Sequence, residues 1–539
     1  MFHRNFITLS IMGSLLISGP LLLVNKALAS EAQANRTIVT FDEEYENYGE
    51  GPDESLEDFY GDEDFVSIAT GSKKLISKAP SVASVVTSSD IEEMGARTLS
   101  EVLETIPGLH VSLSSQISAP KFQIRGISTL YNPQTLVLVD GTPITSTVRG
   151  DRHTVWGAYP VKSIARIEVI RGPGSVLYGA DAFAGVINVI TKNADDIKKT
   201  EIGVRVGSFN TKEGWFVSQY SNDDLKLAFT GEFSQTDGHG EVINWDAQSN
   251  LDSLDMSPAV SFAPDSVQVG YKAYDLNLKM TYKKLGFKFL YQNRSNVGTG
   301  QGVNQAIDPH GKLSSEKLLF DLNYKFNLAD NLNSLLSLSH YKSSQEIEDN
   351  IWLLPPGTLF GAFPDALIGN PEWFEKTSIA KLNFNYEGWS DHKLDFGFGY
   401  RNEDLYKVKE SKNFYSDLSP RGELVDVSGT DEVFMPESDR DSRFLYVQGE
   451  FYLAPDWELT AGVRYDNYSD FGSTTNPRLA LVWTTSQKLT TKFLYGEAFR
   501  APAFAETTVV NNPVALGNAN LKPETISTIE VAFNYKVSE

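Results

Sequence analysis

From about residue 200 onward, apolar and polar residues alternate along the chain. Leu276, Leu278, Met280 and Tyr282 alternate with Asn277, Lys279, Thr281 and Lys283, and after a tight turn at Lys284 to Gly286 the pattern resumes with Phe287, Phe289 and Tyr291. Period two sends successive side chains to opposite faces, and here it holds on both arms of a hairpin. The same texture marks Leu318 to Phe326, Leu332 to His340, Ile379 to Tyr386, Leu394 to Tyr400, Phe444 to Leu453, Leu459 to Tyr465 and Leu489 to Phe499. Connections on one side are short, as at Ala329-Asp330-Asn331 and Ala454-Pro455-Asp456; those on the other are long, over 237–269, 344–375 and 403–441. Alternating strands of roughly ten residues with this asymmetry, rich in Tyr and Phe, are the signature of a transmembrane β-barrel of the outer membrane. A soluble β-propeller is the competing all-β reading, but no blade motif recurs at a fixed period.

Residues 75 to about 194 read as a compact α/β unit. Ser89 with Glu92, and Thr98 with Glu101, have the spacing of capping boxes. Behind the second, Leu99, Val102, Leu103 and Ile106 recur at helical spacing until Pro107-Gly108 stop the helix. Leu136 to Val139 is a continuous apolar run closed by Asp140-Gly141, which predicts a buried strand entering a turn. Ile164, Ile167, Val169 and Ile190 belong to further short strands.

The two ends and the charge change the picture. A basic start (His3, Arg4), an apolar run from Phe6 to Val24 and then Ala27-Leu28-Ala29 predict a secretory signal peptide over 1–29. A retained anchor is the alternative, disfavoured by Ser10, Ser14, Ser18 and Pro20 within a run already marginal for a bilayer. The net charge of −23 argues against nucleic acid as a partner. Much of the acid is concentrated between Asp42 and Asp64, where neither Lys nor Arg occurs, so 30–72 reads as an acidic, self-repelling linker. There is no cysteine, which excludes disulfides and thiolate metal sites, and the seven histidines are scattered. No cofactor or built-in metal site is expected.

Ser163 to Thr191, with Gln123 to Gly126 and Leu136 to Gly141 upstream, resembles the plug domain of TonB-dependent outer-membrane receptors. Gly462 to Asp466, Phe499 to Pro502 and Leu521 to Glu524 resemble barrel motifs of the same family, so the likeness runs over about residues 64–539. It implies a mainly β protein: an antiparallel transmembrane barrel over 196–539 enclosing a small α/β plug over 73–195. About 14 alternating segments are present between 201 and 537, against about 22 strands in large plugged transporters. The wall is therefore expected to be incomplete at its C-terminal side, with the last strand, near 524–537, left as an edge that is costly in lipid.

Gly172, Gly174, Gly179 and Gly185 invite comparison with a phosphate loop, but no Gly-Lys-Ser/Thr follows them; close backbone packing of plug against wall is the better reading. Arg125, Arg166 and Arg171 fall in or beside strands enclosed by the barrel, where charges need partners. Glu450, Glu497 and Glu530, on the polar lumen phase, are candidate partners; separately solvated lumen charges are the alternative.

The resemblance further implies a short energy-coupling box ahead of the plug, which pairs with the TonB complex of the inner membrane by strand addition. Asp64, Phe65, Val66, Ser67, Ile68, Ala69 and Thr70 lie where the family places it; Arg36 to Thr40 is the competing stretch. The function implied is energy-dependent import of a scarce small molecule through the Gram-negative outer membrane. Ferric siderophores are the leading ligand class, with cobalamin, oligosaccharides and other metal chelates behind. Residues 503–517 contain no histidine, which lowers haem. A barrel enzyme would need a nucleophile with its base or paired carboxylates, and no such signature stands out; a passive pore would not need a plug. Tyr131, Asn132, Arg149, Arg152, His153 and Trp156 are the candidate ligand residues, through charge and stacking. Trp352, Phe360, Phe363, Trp373 and Phe374 are placed either around a ligand or at the lipid interface.

Overall fold

The computed structural model describes residues 8–9, 65–114, 119–153, 158–254, 259–389 and 392–537. The expected acidic linker, the competing box at 36–40 and, apart from Thr8–Leu9, the expected signal peptide lie outside the described residues.

Alternation produces the wall. Fourteen strands follow one another around it in chain order, from Glu201–Gly207 to Glu524–Tyr535, each antiparallel to the next, with Trp352–Leu354 and Pro420–Asp426 as short additions at the long-loop end. The first hairpin named above turns at Lys283-Lys284, not at 284–286, because Leu285 already pairs with Tyr282. The 344–375 and 403–441 connections are shorter than expected: Leu332–Asp349, Leu367–Trp389 and His392–Phe414 carry the ladder far past the alternating stretch. The two longest strands have 23 residues each, whereas about 9–11 suffice to cross a bilayer. Beyond the lipid both faces of a strand meet polar surroundings, so the apolar phase fades while the ladder continues.

The outward phase is apolar and exposed, as with Leu276, Phe320, Leu338, Phe398, Leu479 and Phe493. A band of this kind belongs in hydrocarbon. Tyr282, Tyr324, Trp389 and Tyr452 ring the short-turn end, where Trp457 and Trp483 stack at 5.0 Å. Among the described residues no helix is long and apolar enough to cross a membrane; the crossing elements are strands. The order of strands is cyclic. Its seam is narrow: Glu524–Tyr535 pairs along its length with Leu489–Arg500, while on its other side Thr8 and Leu9 stand beside Thr528 and Ile529. Among the described residues no ladder joins Glu201–Gly207 directly to Glu524–Tyr535.

Inside the wall sits a five-stranded mixed sheet in the order Val82–Thr87, Ile164–Arg171, Gly185–Thr191, Thr135–Val139, Thr142–Pro143. Thr135–Val139 runs parallel to Gly185–Thr191 and is buried at every position, the usual fate of a continuous apolar strand. The first short helix, Ser88–Glu93, is capped two residues earlier than its sequence suggests. Thr87 and Asp90 form the box in place of Ser89 and Glu92, because strand Val82–Thr87 ends at Thr87 and leaves that hydroxyl free to accept from the Asp90 amide. Helix Leu99–Glu104 follows its apolar spacing, with Thr98 accepting from the Glu101 amide and Leu99, Val102 and Leu103 buried. The core of this unit is completed by the wall: Leu290, Leu319 and Tyr341 pack into the same cluster as Val137, Ile167 and Ile187.

Candidate functional site

Plug and wall are held together by charge, mostly in one direction. Lumen-facing cations on the wall donate to plug carbonyls. Lys288 Nζ reaches Val139 O at 3.0 Å, Lys317 Nζ reaches Ile144 O at 2.8 Å, Arg478 Nη1 reaches Ala69 O at 2.9 Å and Lys492 Nζ reaches Ile76 O at 2.8 Å. Each occupies the polar phase of an alternating strand, which is the signal sequence reading passed over. Lys279 Nζ, 2.7 Å from Asp140, makes the corresponding contact to a side chain. Burial works to raise the Asp140 carboxyl, and the Lys279 and Lys288 ammonium groups outweigh it, so the group sits below its ordinary value.

Of the arginines singled out in the plug, Arg125 forks Glu530 on the last strand through Nη1 and Nη2 at 2.5 and 2.6 Å. Arg166 instead pairs with Glu168 at 2.8 Å within its own strand, and Arg171 donates to the carbonyls of Pro107 and Ala83 and to Ser84 Oγ. Glu450 binds Lys74 at 2.6 Å, and Glu497 accepts from Tyr495 on the wall itself. The glycines divide likewise. A Cβ at Gly172 would meet Glu530 Oε1 at 2.8 Å and one at Gly179 would meet Arg464, both on the wall, whereas Gly174 and Gly185 are crowded by Val186 and Ile170 of the plug.

The outer end of the plug is a loop from Thr142 to His153, fastened mainly by one wall carboxylate. Glu375 accepts from Thr147 N at 2.8 Å, Thr147 Oγ1 at 2.6 Å and Ser343 Oγ at 2.9 Å, and bonds His153 Nε2. The backbone amides of Phe504 and Ala505, just past the Phe499 to Pro502 motif, donate to Thr147 O and Val148 O. Gly150 turns the loop at φ +73°, tight against Pro133.

Within this frame the candidate ligand residues separate. Asn132, Arg152 and His153 are buried. Arg152 donates to Pro120 O and Asn132 O at 3.1 Å each, and burial pushes its guanidinium down to about 10 against the pull of Asp151 and Asp181. Asn132 Oδ1 accepts from Phe122 N at 2.9 Å. Arg149 and Tyr131 keep partly exposed surface. The Arg149 guanidinium lies over Trp373 at 4.2 Å and near the Tyr131 ring at 5.4 Å, a cation held between two aromatic faces. Trp156 lies outside the described residues. In the loops above, His310 packs on Trp352 at 4.4 Å, Phe363 is buried and Phe360 is 68% exposed.

At the other end, Phe65, Val66, Ile68, Ala69 and Thr70 are buried, and Ser67 is partly so; Asp64 lies outside the described residues. Phe65–Val66 pairs with Lys74–Leu75. Glu168 accepts from Ser67 N at 2.9 Å and Ile68 N at 2.8 Å, and Tyr178 Oη donates to Ile68 O at 2.9 Å. The segment is thus docked by a few polar contacts at the base of the plug. Among the described residues no group of three or more His, Cys, Asp or Glu could hold a metal ion.

Residues 259–538 match the family model described as TonB dependent receptor-like, beta-barrel, and residues 76–186 match the TonB-dependent Receptor Plug Domain. The chain is 26% identical over 494 residues to an iron-regulated outer membrane virulence protein of Vibrio cholerae, covering 88% of this chain and 66% of that protein. It is 25% identical over 456 residues to a vitamin B12 transporter of Vibrio vulnificus, covering 83% and 64%. It therefore spans a little under two thirds of the length of these curated relatives. Among solved structures, the ferric enterobactin receptor of Pseudomonas aeruginosa superposes with a TM-score of 0.63 at 20% identity, over 86% of this chain and 70% of that one. At that identity the likeness carries the fold alone.

Proposed function

We propose that this chain, which belongs to the TonB-dependent receptor family, imports a scarce small molecule across the Gram-negative outer membrane, with a ferric siderophore as the ligand. The observation that carries the reading is the cationic, aromatic apex of the plug: Arg149 between Trp373 and Tyr131, over a lumen closed by the plug. An anionic chelate with planar ligand groups suits such a surface by charge and stacking. Relatives described as iron-regulated, or as a ferric enterobactin receptor, support that ligand class. Cobalamin is the second reading, supported by the relatives described as vitamin B12 transporters.

Energy enters at the opposite end in this reading. The coupling box is residues 64–70, released from Glu168 and Tyr178 and paired by strand addition with the inner-membrane TonB complex. Nothing in the scheme requires covalent chemistry: binding at the apex and pulling at the base act on one plug. Growth of an iron-starved strain that depends on this gene tests the proposal. Restoration by ferric siderophores supports it, and restoration by cobalamin alone replaces the ligand class.

A further inference from the structure

The outward face of the wall carries a cationic rim directly above an apolar groove. On neighbouring strands Leu332–Asp349 and Leu367–Trp389, Lys342 stands directly opposite Lys376. One step across, on His392–Phe414, Lys407 is opposite Phe374 and Lys409 is opposite Glu372. Like charges directly opposed on one face of a sheet are destabilising. Two carboxylates offset part of this, Asp404 at 2.8 Å from Lys376 and Glu372 at 3.0 Å from Lys409. Lys342 and Lys407 have no carboxylate partner among the described residues. Both side chains are exposed, and their ammonium groups lie over the rings of Tyr406 at 5.5 Å and Phe374 at 4.9 Å.

Depth and neighbours say what this rim faces. Strand alternation puts Lys342 and Lys376 in phase with the exposed apolar residues Leu338, Phe320 and Tyr400. Lys342 comes ten residues after Leu332, which follows the short turn. About 9–11 tilted residues cross the hydrocarbon, so the rim lies where the wall leaves lipid on its long-loop side. Immediately below, Phe320, Leu322, Leu338 and Tyr400 surround an open hollow of about 390 Å³ beside the small side chains of Ser378 and Ala380. Its one polar pair is internal: His340 Nδ1 and Ser378 Oγ are 2.9 Å apart.

We infer that this face binds a phosphorylated glycolipid of the outer leaflet, its phosphates on Lys342, Lys376 and Lys407 and an acyl chain in the groove beneath. The argument is charge complementarity at fixed depth. Cations at the boundary of an apolar hollow match an amphiphile whose anionic groups and chains meet at that same boundary, and basic side chains near a membrane surface contribute about 1 kcal/mol each toward anionic lipid. Bound phosphate also relieves the opposed Lys342 and Lys376. This lies apart from ligand import, since the site is on the outside of the wall.

The test uses the purified full-length protein in detergent, with bisphosphorylated lipid A as the probe and bound lipid read by native mass spectrometry. Lipid A is expected to bind the unaltered protein, and the form stripped of both phosphates at least tenfold more weakly. Lys342→Glu with Lys407→Glu should weaken binding at least tenfold. Ala380→Trp, which fills the groove and leaves every lysine in place, should weaken it as well. Heat-dependent gel mobility reports that each variant is a folded barrel. Unchanged lipid binding in the folded double-lysine variant overturns the proposal; so does unchanged binding in Ala380→Trp, or full displacement of lipid A by millimolar inorganic phosphate, which would leave a bare anion site.

Discussion

Trp373 and Phe374 are consecutive in one strand and serve opposite sides of the wall. Trp373 is 2% exposed and lies under the Arg149 guanidinium, while Phe374 faces outward beneath Lys407 and Lys409. The two-residue period of the strand thus sends one of these aromatic residues toward the plug and the other to the outer face.

Trp373→Ala is accordingly expected to weaken ligand binding, because Arg149 loses the face that holds it and His153 a ring 5.9 Å away. A cation over an aromatic face is worth about 0.5–2 kcal/mol, or roughly twofold to thirtyfold in affinity. Phe374→Ala should leave affinity unchanged. Equilibrium binding to both purified variants checks this, and equal losses would place Trp373 outside the ligand surface.

Arg149 and Arg152, close in sequence, should respond differently. Arg149→Ala is expected to weaken binding of an anionic chelate at least tenfold, a cost of about 1.4 kcal/mol, with the plug as protease-resistant as before. Arg152→Ala removes the donor to the buried carbonyls of Pro120 and Asn132. An orphaned buried acceptor costs about 1–3 kcal/mol, so this variant should show a more readily cleaved plug. Binding titration and limited proteolysis of both proteins separate the two roles, and normal affinity in Arg149→Ala would move the ligand to the loops.

How much of this was legible in the sequence depends on how local the cause is. The wall follows from alternation, and Leu99, Val102 and Leu103 announce their helix by spacing alone. Strand ends were missed at Asp349 and Phe414 because hydrogen bonding continues after the lipid-facing phase stops. The candidate site was legible only as a neighbourhood, since one loop holds Arg149, Arg152 and His153. Their separation into surface and interior was not, because it depends on Glu375 and Asn132 arriving from distant positions. Lys288, Lys317, Arg478 and Lys492 were missed for another reason: they bind carbonyls, and a carbonyl leaves no mark in a sequence.

Asp181 gives the plug a dependence on pH. Burial lifts its carboxyl to about 6, although Arg401, Arg500 and Arg440 pull the other way. With an ordinary value near 3.9 in the unfolded chain, the folded state binds this proton more tightly. The contribution is fully present below about pH 4 and is lost as pH rises through about 6. Proteolysis of the plug is therefore expected to be slower at pH 5 than at pH 7.5 by an amount that Asp181→Asn removes. An identical pH difference in that variant would assign the effect to another group.

The coupling segment can be tested by separating its docking from its release. Ile68 donates its amide to Glu168 at 2.8 Å, and the same amide is available to an added strand once the segment leaves the plug. Proline at position 68 removes that donor in both states and fixes φ. Ile68→Pro should therefore abolish energised uptake while equilibrium ligand binding at the far apex stays within about twofold. Glu168→Gln keeps the shape and leaves the Ile68 amide to an added strand, while it weakens acceptance from Ser67 and Ile68 along with the ion pair to Arg166. It should raise the mobility of a spin label at Ser67 and leave uptake intact. Ile38→Pro, in the competing stretch, should be silent. Full uptake by Ile68→Pro would remove residues 64–70 from the energy-coupling role, and loss of uptake in Ile38→Pro would transfer that role upstream.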